Sequence, residues 1–322
     1  MRPRPNFSNT LQTPVETILI GTRGSELALH QAETVRALLS RAHPDARVDI
    51  RVVQSLADRD LDISLCSFPN PGVFVKELER ALLEREITVA VHSLKDLPSE
   101  LPEGLCLAAC PEREDPRDAL ISRHGLGFAE LPPGAVLGTG SPRRQAQLRH
   151  LRPDLRFSDL RGNLSTRLRK LHTEGLDALV LAAAGLHRSG RREVITQYLE
   201  VEQCVPAAGQ GALALEARED EPLLPLLRSL NDPLVETAVR AERQTIADLG
   251  AGCTAPLGVY AQVQGERLRV CAALGSPEGA RLLREEVTGL VEEPEAAGHA
   301  LAAALRELGA DELIQNAHGI AY

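Results

Sequence analysis

Two rhythms of apolar residues alternate along the first two thirds of the chain. Short apolar runs at 18–20, 48–53 and 87–91 read as buried strands. Between them, 27–42 and 74–86 carry apolar residues at helical spacing, the second with Val75, Leu78, Leu82 and Leu83 along one face. Strand–helix–strand order of this kind predicts a mostly parallel α/β sheet. The pattern then starts afresh: a strand at 135–137, a helix at 142–151, an extended run at 157–160, a helix at 164–172 and a buried strand at 178–182. Both units open alike, as Gly21-Thr22-Arg23-Gly24-Ser25 and as Gly138-Thr139-Gly140-Ser141. Each serine suits a helix N-cap, which leaves free backbone N–H groups at the helix start. The two starts are either ordinary caps or, if they face each other, the walls of an anion-binding cleft.

After Pro206 the rhythm changes. A strand at 211–217 and helices at 223–230 and 234–249 precede two strands, 257–263 and 268–274, paired around Gln264-Gly265-Glu266. With a helix at 296–308 these make a small α+β unit. Proline- and glycine-rich joints near 110–116, 205–211 and 231–233 mark the boundaries. The expected division is a disordered tail at 1–16, a first α/β domain from 17–112 with 211–230, a second from 116–206, and a third domain at 232–322.

Composition narrows the function. With 322 residues, 43% hydrophobic and 25% charged, the chain is that of a multidomain globular protein. A net charge of −9 and only 2% aromatic residues argue against nucleic acid as a partner. No apolar run reaches the ~20 residues of a membrane span, and no signal core opens the chain, so a cytoplasmic location is expected. The six cysteines lack the rhythm of a disulfide scaffold, and Cys106 and Cys110 lack a second pair for zinc, so no metal site is expected.

Three constellations carry candidate chemistry. His92-Ser93-Leu94-Lys95-Asp96-Leu97-Pro98 follows a buried strand, and ligands of open α/β sheets bind at the carboxyl ends of strands. It is either a surface turn or a cleft wall where Asp96 stabilises a developing cation. Arg23, Arg143, Arg144, Arg161, Arg167 and Arg188 cluster at helix starts and strand ends. Helix dipoles disfavour cations there, so each is either solvated or bound to a polyanionic small molecule. Finally, Leu249-Gly250-Ala251-Gly252-Cys253-Thr254-Ala255-Pro256 surrounds a cysteine with small residues, as a tight turn or as an open approach to its sulfur.

Together these strings resemble the porphobilinogen deaminases (hydroxymethylbilane synthases). Thr22-Arg23-Gly24-Ser25 with Leu27-Ala28-Leu29 and Gln31 is similar to the family's opening motif. So are Phe74-Val75-Lys76-Glu77-Leu78-Glu79, Val91 to Pro98, and Glu112-Arg113-Glu114-Asp115-Pro116-Arg117-Asp118-Ala119. Gly138 to Gln145, Leu160-Arg161-Gly162-Asn163, Thr166-Arg167-Leu168, Ala184-Gly185-Leu186 and Pro206-Ala207-Ala208-Gly209-Gln210-Gly211-Ala212 continue the series nearly to the C-terminus. The resemblance implies two α/β domains like those of periplasmic binding proteins plus a small α+β C-terminal domain, in a monomer. It implies a dipyrromethane cofactor held through a thioether to Cys253. Four molecules of porphobilinogen are then joined stepwise, each losing ammonia to form an azafulvene, and water releases hydroxymethylbilane. Asp96 takes the catalytic role. Lys95, Thr139, Ser141, Arg143, Arg144, Arg161, Arg167 and Arg188 hold the cofactor, and Arg23, Ser25, Gln31, Gly209 and Gln210 contact substrate.

One stretch departs from the family. Where a flexible loop with two glycine-flanked lysines is usual, the chain has Gln54-Ser55-Leu56-Ala57-Asp58 and then Ser67-Phe68-Pro69-Asn70-Pro71. Both lysines are missing, which implies slower late additions as carboxylates accumulate. His187 also stands where Lys or Arg is common. Two other readings stay open on sequence alone: a paralogue building a different or shorter oligopyrrole, and a non-catalytic small-anion-binding protein.

Overall fold

The computed structural model describes residues 17–53, 75–252 and 255–319. Four strands of a first sheet come early: β1 (Thr17–Thr22), β2 (Arg47–Val52), β3 (Val89–Ser93) and β4 (Leu105–Ala109). Helix α1 (Glu26–Ala42) follows β1, and α2 (Lys76–Leu83) precedes β3. A second sheet takes β5 (Asp118–Ser122), β6 (Val136–Gly138), β7 (Arg156–Ser158), β8 (Ala178–Ala182) and β9 (Gln197–Leu199). Its helices are α3 (Pro142–Leu151), α4 (Leu164–Thr173) and the short α5 (Ala183–Arg188). The chain then returns to the first sheet as β10 (Leu213–Arg218). The last part holds α6 (Leu224–Arg228), α7 (Pro233–Asp248), β11 (Leu257–Gln264), β12 (Arg267–Gly275), β13 (Leu282–Leu290), α8 (Pro294–Glu307) and α9 (Ala310–Gly319).

The two five-stranded sheets share one plan. Their orders are β2-β1-β3-β10-β4 and β7-β6-β8-β5-β9. In each, the strand next to the edge runs antiparallel to its neighbours, β10 in the first and β5 in the second. Each of these is the strand that enters just after the chain crosses between sheets. The expectation of a mostly parallel sheet therefore holds for all but the crossing strand. Two crossovers, 110–117 and 200–212, connect the sheets side by side, and their backbones touch: Glu114 N donates to Gly211 O at 3.1 Å. Gly211 has φ +88°, and a Cβ there would stand 2.2 Å from Glu114 O. Only glycine permits that approach.

Period-2 alternation puts Ile18, Ile20, Val89, Val91, Leu213 and Leu215 against Ala32, Val35 and Leu39 of α1. The opposite face packs Ala90 against Leu78, Ala81 and Leu82 of α2. Each fully buried Leu, Ile or Val contributes about 1.5–3 kcal/mol. Strand β10 is buried at all six positions, so its two charged residues need partners. Glu216 Oε2 accepts from His92 Nε2 at 2.9 Å, and Arg218 binds Glu221 and donates to Leu82 O at 2.8 Å.

The small C-terminal unit is a three-stranded antiparallel meander, β11-β12-β13. The sequence predicts only its first two strands. Strand β13, Leu-Leu-Arg-Glu-Glu-Val-Thr-Gly-Leu, has one face in solvent, and its charged positions conceal it as surface. Helices α7 and α8 cover the sheet with Ala238, Ala241, Leu301 and Leu305. Strands β4, β5 and β9 and helices α5 and α9 were likewise not expected. The first three are only three to five residues long and lie among prolines and charges.

Candidate active site

Strand β3 delivers the first wall. Beyond its last residue the chain makes a single 3-10 turn, Leu94–Asp96. Leu94 anchors that turn: its side chain is buried, and its N–H donates to Ala212 O at 3.0 Å. Gly209, with φ +70°, lies so close that a Cβ would stand 2.8 Å from Leu94 Cγ. Asp96 is thereby left exposed and Lys95 half-buried. Burial pushes the Lys95 ammonium down to about 8, against the pull of Asp96 and with the help of Arg144. Gln31, buried on α1, braces the strand end by donating to Ser93 Oγ at 2.7 Å. Ser25 caps α1, accepting from Ala28 N at 3.3 Å, and Arg23 beside it is half-buried.

The second wall is built on α3, where Ser141 is the N-cap and accepts from Arg144 N at 3.4 Å. Thr139 is buried, and its Oγ1 accepts from Ser141 N at 3.3 Å. Arg143 and Arg144 are the surprise. Both are buried, and both point at Asp118, the first residue of β5, which has no exposed surface. Arg143 binds the two carboxylate oxygens at 2.7 and 3.2 Å and also donates to Val205 O at 2.7 Å. Arg144 Nε donates to the same carboxylate at 2.9 Å, and its Nη1 donates to Val180 O at 3.1 Å. Gln210 joins them, donating to Asp118 Oδ1 at 2.9 Å and to Pro116 O at 2.7 Å. Burial alone raises the Asp118 carboxyl, but the two guanidinium groups outweigh it and hold it far below the usual carboxylate range. The cations at this helix start thus have an anion of the protein itself as their reason. Lys95 senses the charges of Arg143, Arg144 and Asp118, which brings the two walls together.

Three more of the arginines stand on or beside α4 and α5. Arg167 donates from Nε to Gly162 O at 2.7 Å. Burial lowers its pKa and Arg144 adds to the effect, while Asp96 and Asp159 oppose it. Asp96 and Arg167, from different sheets, therefore act on each other. Arg161 pairs with Asp159 at 2.6 Å and is 45% exposed. Arg188 ends α5, a short helix rather than a strand, and donates to Gly211 O at 2.8 Å and Glu112 Oε1 at 3.3 Å. Its Nε is buried without a hydrogen-bond partner, as is Oε1 of Gln210. The direct contact between helix starts runs from α1 to α4, where Ser165 Oγ donates to Glu26 Oε2 at 3.0 Å.

Cys253, Thr254 and the whole of 54–74, including Asp58, Ser67, Pro69 and Pro71, lie outside the described residues. Up to Gly252 the cysteine loop is pinned by buried Leu249 and Ala251, while Gly250 and Gly252 have no atom within 4 Å of where a Cβ would stand. Burial raises Cys110 and Cys204 to about 12 and Cys271 to about 11, which keeps those thiols protonated. Among the described residues, no group of three His, Cys, Asp or Glu side chains could hold a metal ion, and no helix is long and apolar enough to cross a membrane.

The sequence did not single out Asp118 or Glu242. Glu242, fully buried on α7, accepts from Arg113 Nη1 of one crossover at 2.7 Å, Gly209 N of the other at 2.6 Å and Ala261 N of β11 at 2.8 Å. Asp118 stands in the motif Glu112 to Ala119, to which the sequence assigns no separate role for it. Only its burial in the fold reveals its role.

The family model described as "Porphobilinogen deaminase, dipyromethane cofactor binding domain" matches residues 18–224, and "Porphobilinogen deaminase, C-terminal domain" matches 236–307. A porphobilinogen deaminase of Bacillus subtilis is 45% identical over 303 residues, covering 93% of this chain and 96% of that one. One of Pelobacter propionicus is 43% identical over 306 residues, covering 95% and 98%. Among solved structures, the periplasmic VFT2 domain of Bordetella pertussis BvgS covers 67% of this chain and 86% of that one, at 15% identity and a TM-score of 0.40.

Proposed function

The chain belongs to the porphobilinogen deaminase family, whose members join four porphobilinogen molecules with loss of ammonia into hydroxymethylbilane, and from that premise we propose which of its residues carry the reaction. Asp96 is the catalytic carboxylate. Exposed at the end of β3 and opposed by Arg167 from the other sheet, it faces the gap where substrate enters. As the aminomethyl nitrogen leaves, positive charge develops on the substrate pyrrole, and a fixed carboxylate stabilises it without reorganising.

The family match at 18–224 is a dipyrromethane cofactor domain, and we assign the attachment to Cys253. When bound, the dipyrromethane supplies the pyrrole carbon to which the first substrate is joined. The donor set fits such a ligand. Arg188 Nε is buried and lacks an acceptor, Gln210 Oε1 lacks a donor, and a carboxylate-bearing pyrrole offers both complements. Arg161, Arg167, Arg188 and Lys95 are the cofactor's carboxylate partners, with Thr139 and Ser141 shaping the helix start beside them. Arg23 and Ser25 meet the substrate's acids. Arg143, Arg144 and Gln210 orient this wall through Asp118, and Gln31 and Gly209 do the same for the turn that carries Asp96. The working unit is a cytoplasmic monomer with domain limits 17–112 plus 211–230, 116–206 and 232–322; the sheet order is what supports those limits.

The observation that carries the reading is the opposition of exposed Asp96 to Arg167 of the other sheet. Asp96→Asn keeps the shape and removes the charge. Turnover should fall about 10²–10³-fold with the protein mass unchanged. Near-normal turnover would mean that another carboxylate does the work. A milder effect follows from Lys95. Protonated below about 8 and neutral above it, it should let KM for porphobilinogen rise as pH passes that value, and Lys95→Arg should remove that rise.

A further inference from the structure

The short helix that ends in Arg188 holds a second side chain that the reaction does not use. His187 is 4% exposed, and its ring is gripped on both edges. Nε2 lies 2.8 Å from Tyr198 Oη on β9. Nδ1 lies 3.1 Å from Glu114 Oε1, on the first crossover, and 3.0 Å from Arg192 Nη2, in the turn after α5. These two neighbours make opposite demands. A carboxylate only accepts and a guanidinium only donates, so one ring nitrogen cannot satisfy both. With a proton, Nδ1 donates to Glu114 and repels Arg192. Without one, the ring keeps its remaining proton on Nε2, donated to Tyr198 Oη, and Nδ1 accepts from Arg192 and repels Glu114.

The surroundings connect this choice to the site. Glu114 Oε1 also accepts from Asp115 N at 2.9 Å, and Glu114 N donates to Gly211 O, the same carbonyl that Arg188 holds. His187 and Arg188 therefore grasp both crossovers from adjacent positions. The other charges nearby are spoken for: Arg117 pairs with Asp115 and Glu200 and lies over the Tyr198 ring, Glu112 binds Arg188, and Arg191 faces Glu26 of α1. Burial pushes the Glu114 carboxyl up, but the Asp115 N–H and His187 together bring it below the usual value, so it stays a carboxylate.

We propose that His187 is a positioning residue: the proton on its Nδ1 latches the helix carrying Arg188 to the crossover through Glu114, and its loss turns the ring to Arg192 and releases that crossover. The functional half of this rests on Arg188 as a carboxylate partner. The latch is closed while Nδ1 carries the proton and open once that proton is lost.

The test uses the cofactor-loaded enzyme. Amide hydrogen exchange at 112–115, corrected for intrinsic rates, should quicken about tenfold as pH rises through the histidine range, the worth of one charge-assisted hydrogen bond. KM should rise over the same interval. In His187→Lys the charge is permanent, and both steps should vanish with the latch closed. In His187→Gln an uncharged amide can donate to Glu114 and accept from Arg192 together, so the steps should vanish as well. Arg192→Gln, at an exposed residue, removes the competitor and should move both steps to higher pH. The Lys95 change near pH 8 is common to all four proteins and cancels in the comparison. A wild-type exchange step that persists in His187→Gln, or one that Arg192→Gln does not move, overturns the latch. If the exchange step behaves as stated while Arg188→Gln leaves KM untouched, the role of Arg188 fails and the latch stands.

Discussion

Cys253→Ser is expected to give a folded protein of unmodified mass that consumes no porphobilinogen. The wild-type protein should exceed its sequence mass by two pyrrole units and give a colour reaction with an acidic pyrrole reagent. The reasoning starts from sulfur chemistry, because the thiolate is the nucleophile and a serine hydroxyl does not ionise in the same range. Burial holds Cys110, Cys204 and Cys271 far from ionisation at neutral pH. In the chain just before Cys253, Gly250 and Gly252 have open space around them and Leu249 and Ala251 are buried. Burial raises the Cys106 thiol as well, so intact-mass spectrometry of Cys253→Ser and of Cys66→Ser separates the two cysteines that are left. Loss of the excess mass in the first and its retention in the second supports the assignment, and the reverse pattern sinks it.

Asp118→Asn is expected to cost about 3–5 kcal/mol of stability, because it leaves Arg143 and Arg144 buried beside a neutral amide. Urea unfolding measures this directly. Arg143→Leu should cost less than that, because Arg144 and Gln210 still hold the carboxylate, whereas Arg161→Leu removes only an exposed pair worth about 0–1 kcal/mol. The pH dependence has a definite sign. The folded carboxyl is held below its unfolded value of about 3.9, so its contribution is complete above that value and is lost as pH falls beneath it. Wild-type stability should therefore decline steeply below about pH 4, and Asp118→Asn should flatten that decline. Equal stability of Asp118→Asn and wild type at neutral pH would return Arg143 and Arg144 to the role of direct ligand clamps.

Much of this was readable from the chain. Helices α1 and α3 declare themselves through a capping Ser25 or Ser141, and α4 through its apolar spacing, because capping and amphipathicity are local properties. The restart of the pattern at 135 announces a second sheet for the same reason. The ordered motifs from Thr22 to Ala212 were enough to identify the family. Asp96 and Lys95 could be placed at a strand end because the apolar run before them marks the strand locally.

What the sequence could not determine depends on partners far away along the chain. Whether an arginine at a helix start faces solvent, a ligand or a buried acid is decided by what packs against it. Arg143 meets Asp118 across 25 positions and Val205 across 62. The exchange of β5 and β10 between sheets is equally invisible locally, since a five- or six-residue strand carries no mark of which sheet will complete its hydrogen bonds. His187 reads as a small departure from a pattern. Only folding brings Glu114, 73 positions before it, to one side of its ring and leaves Arg192 on the same nitrogen, so that a single proton has two claimants. Local order follows from the run of residues, but the chemistry of a buried charge belongs to its neighbours, and those are chosen by the tertiary structure.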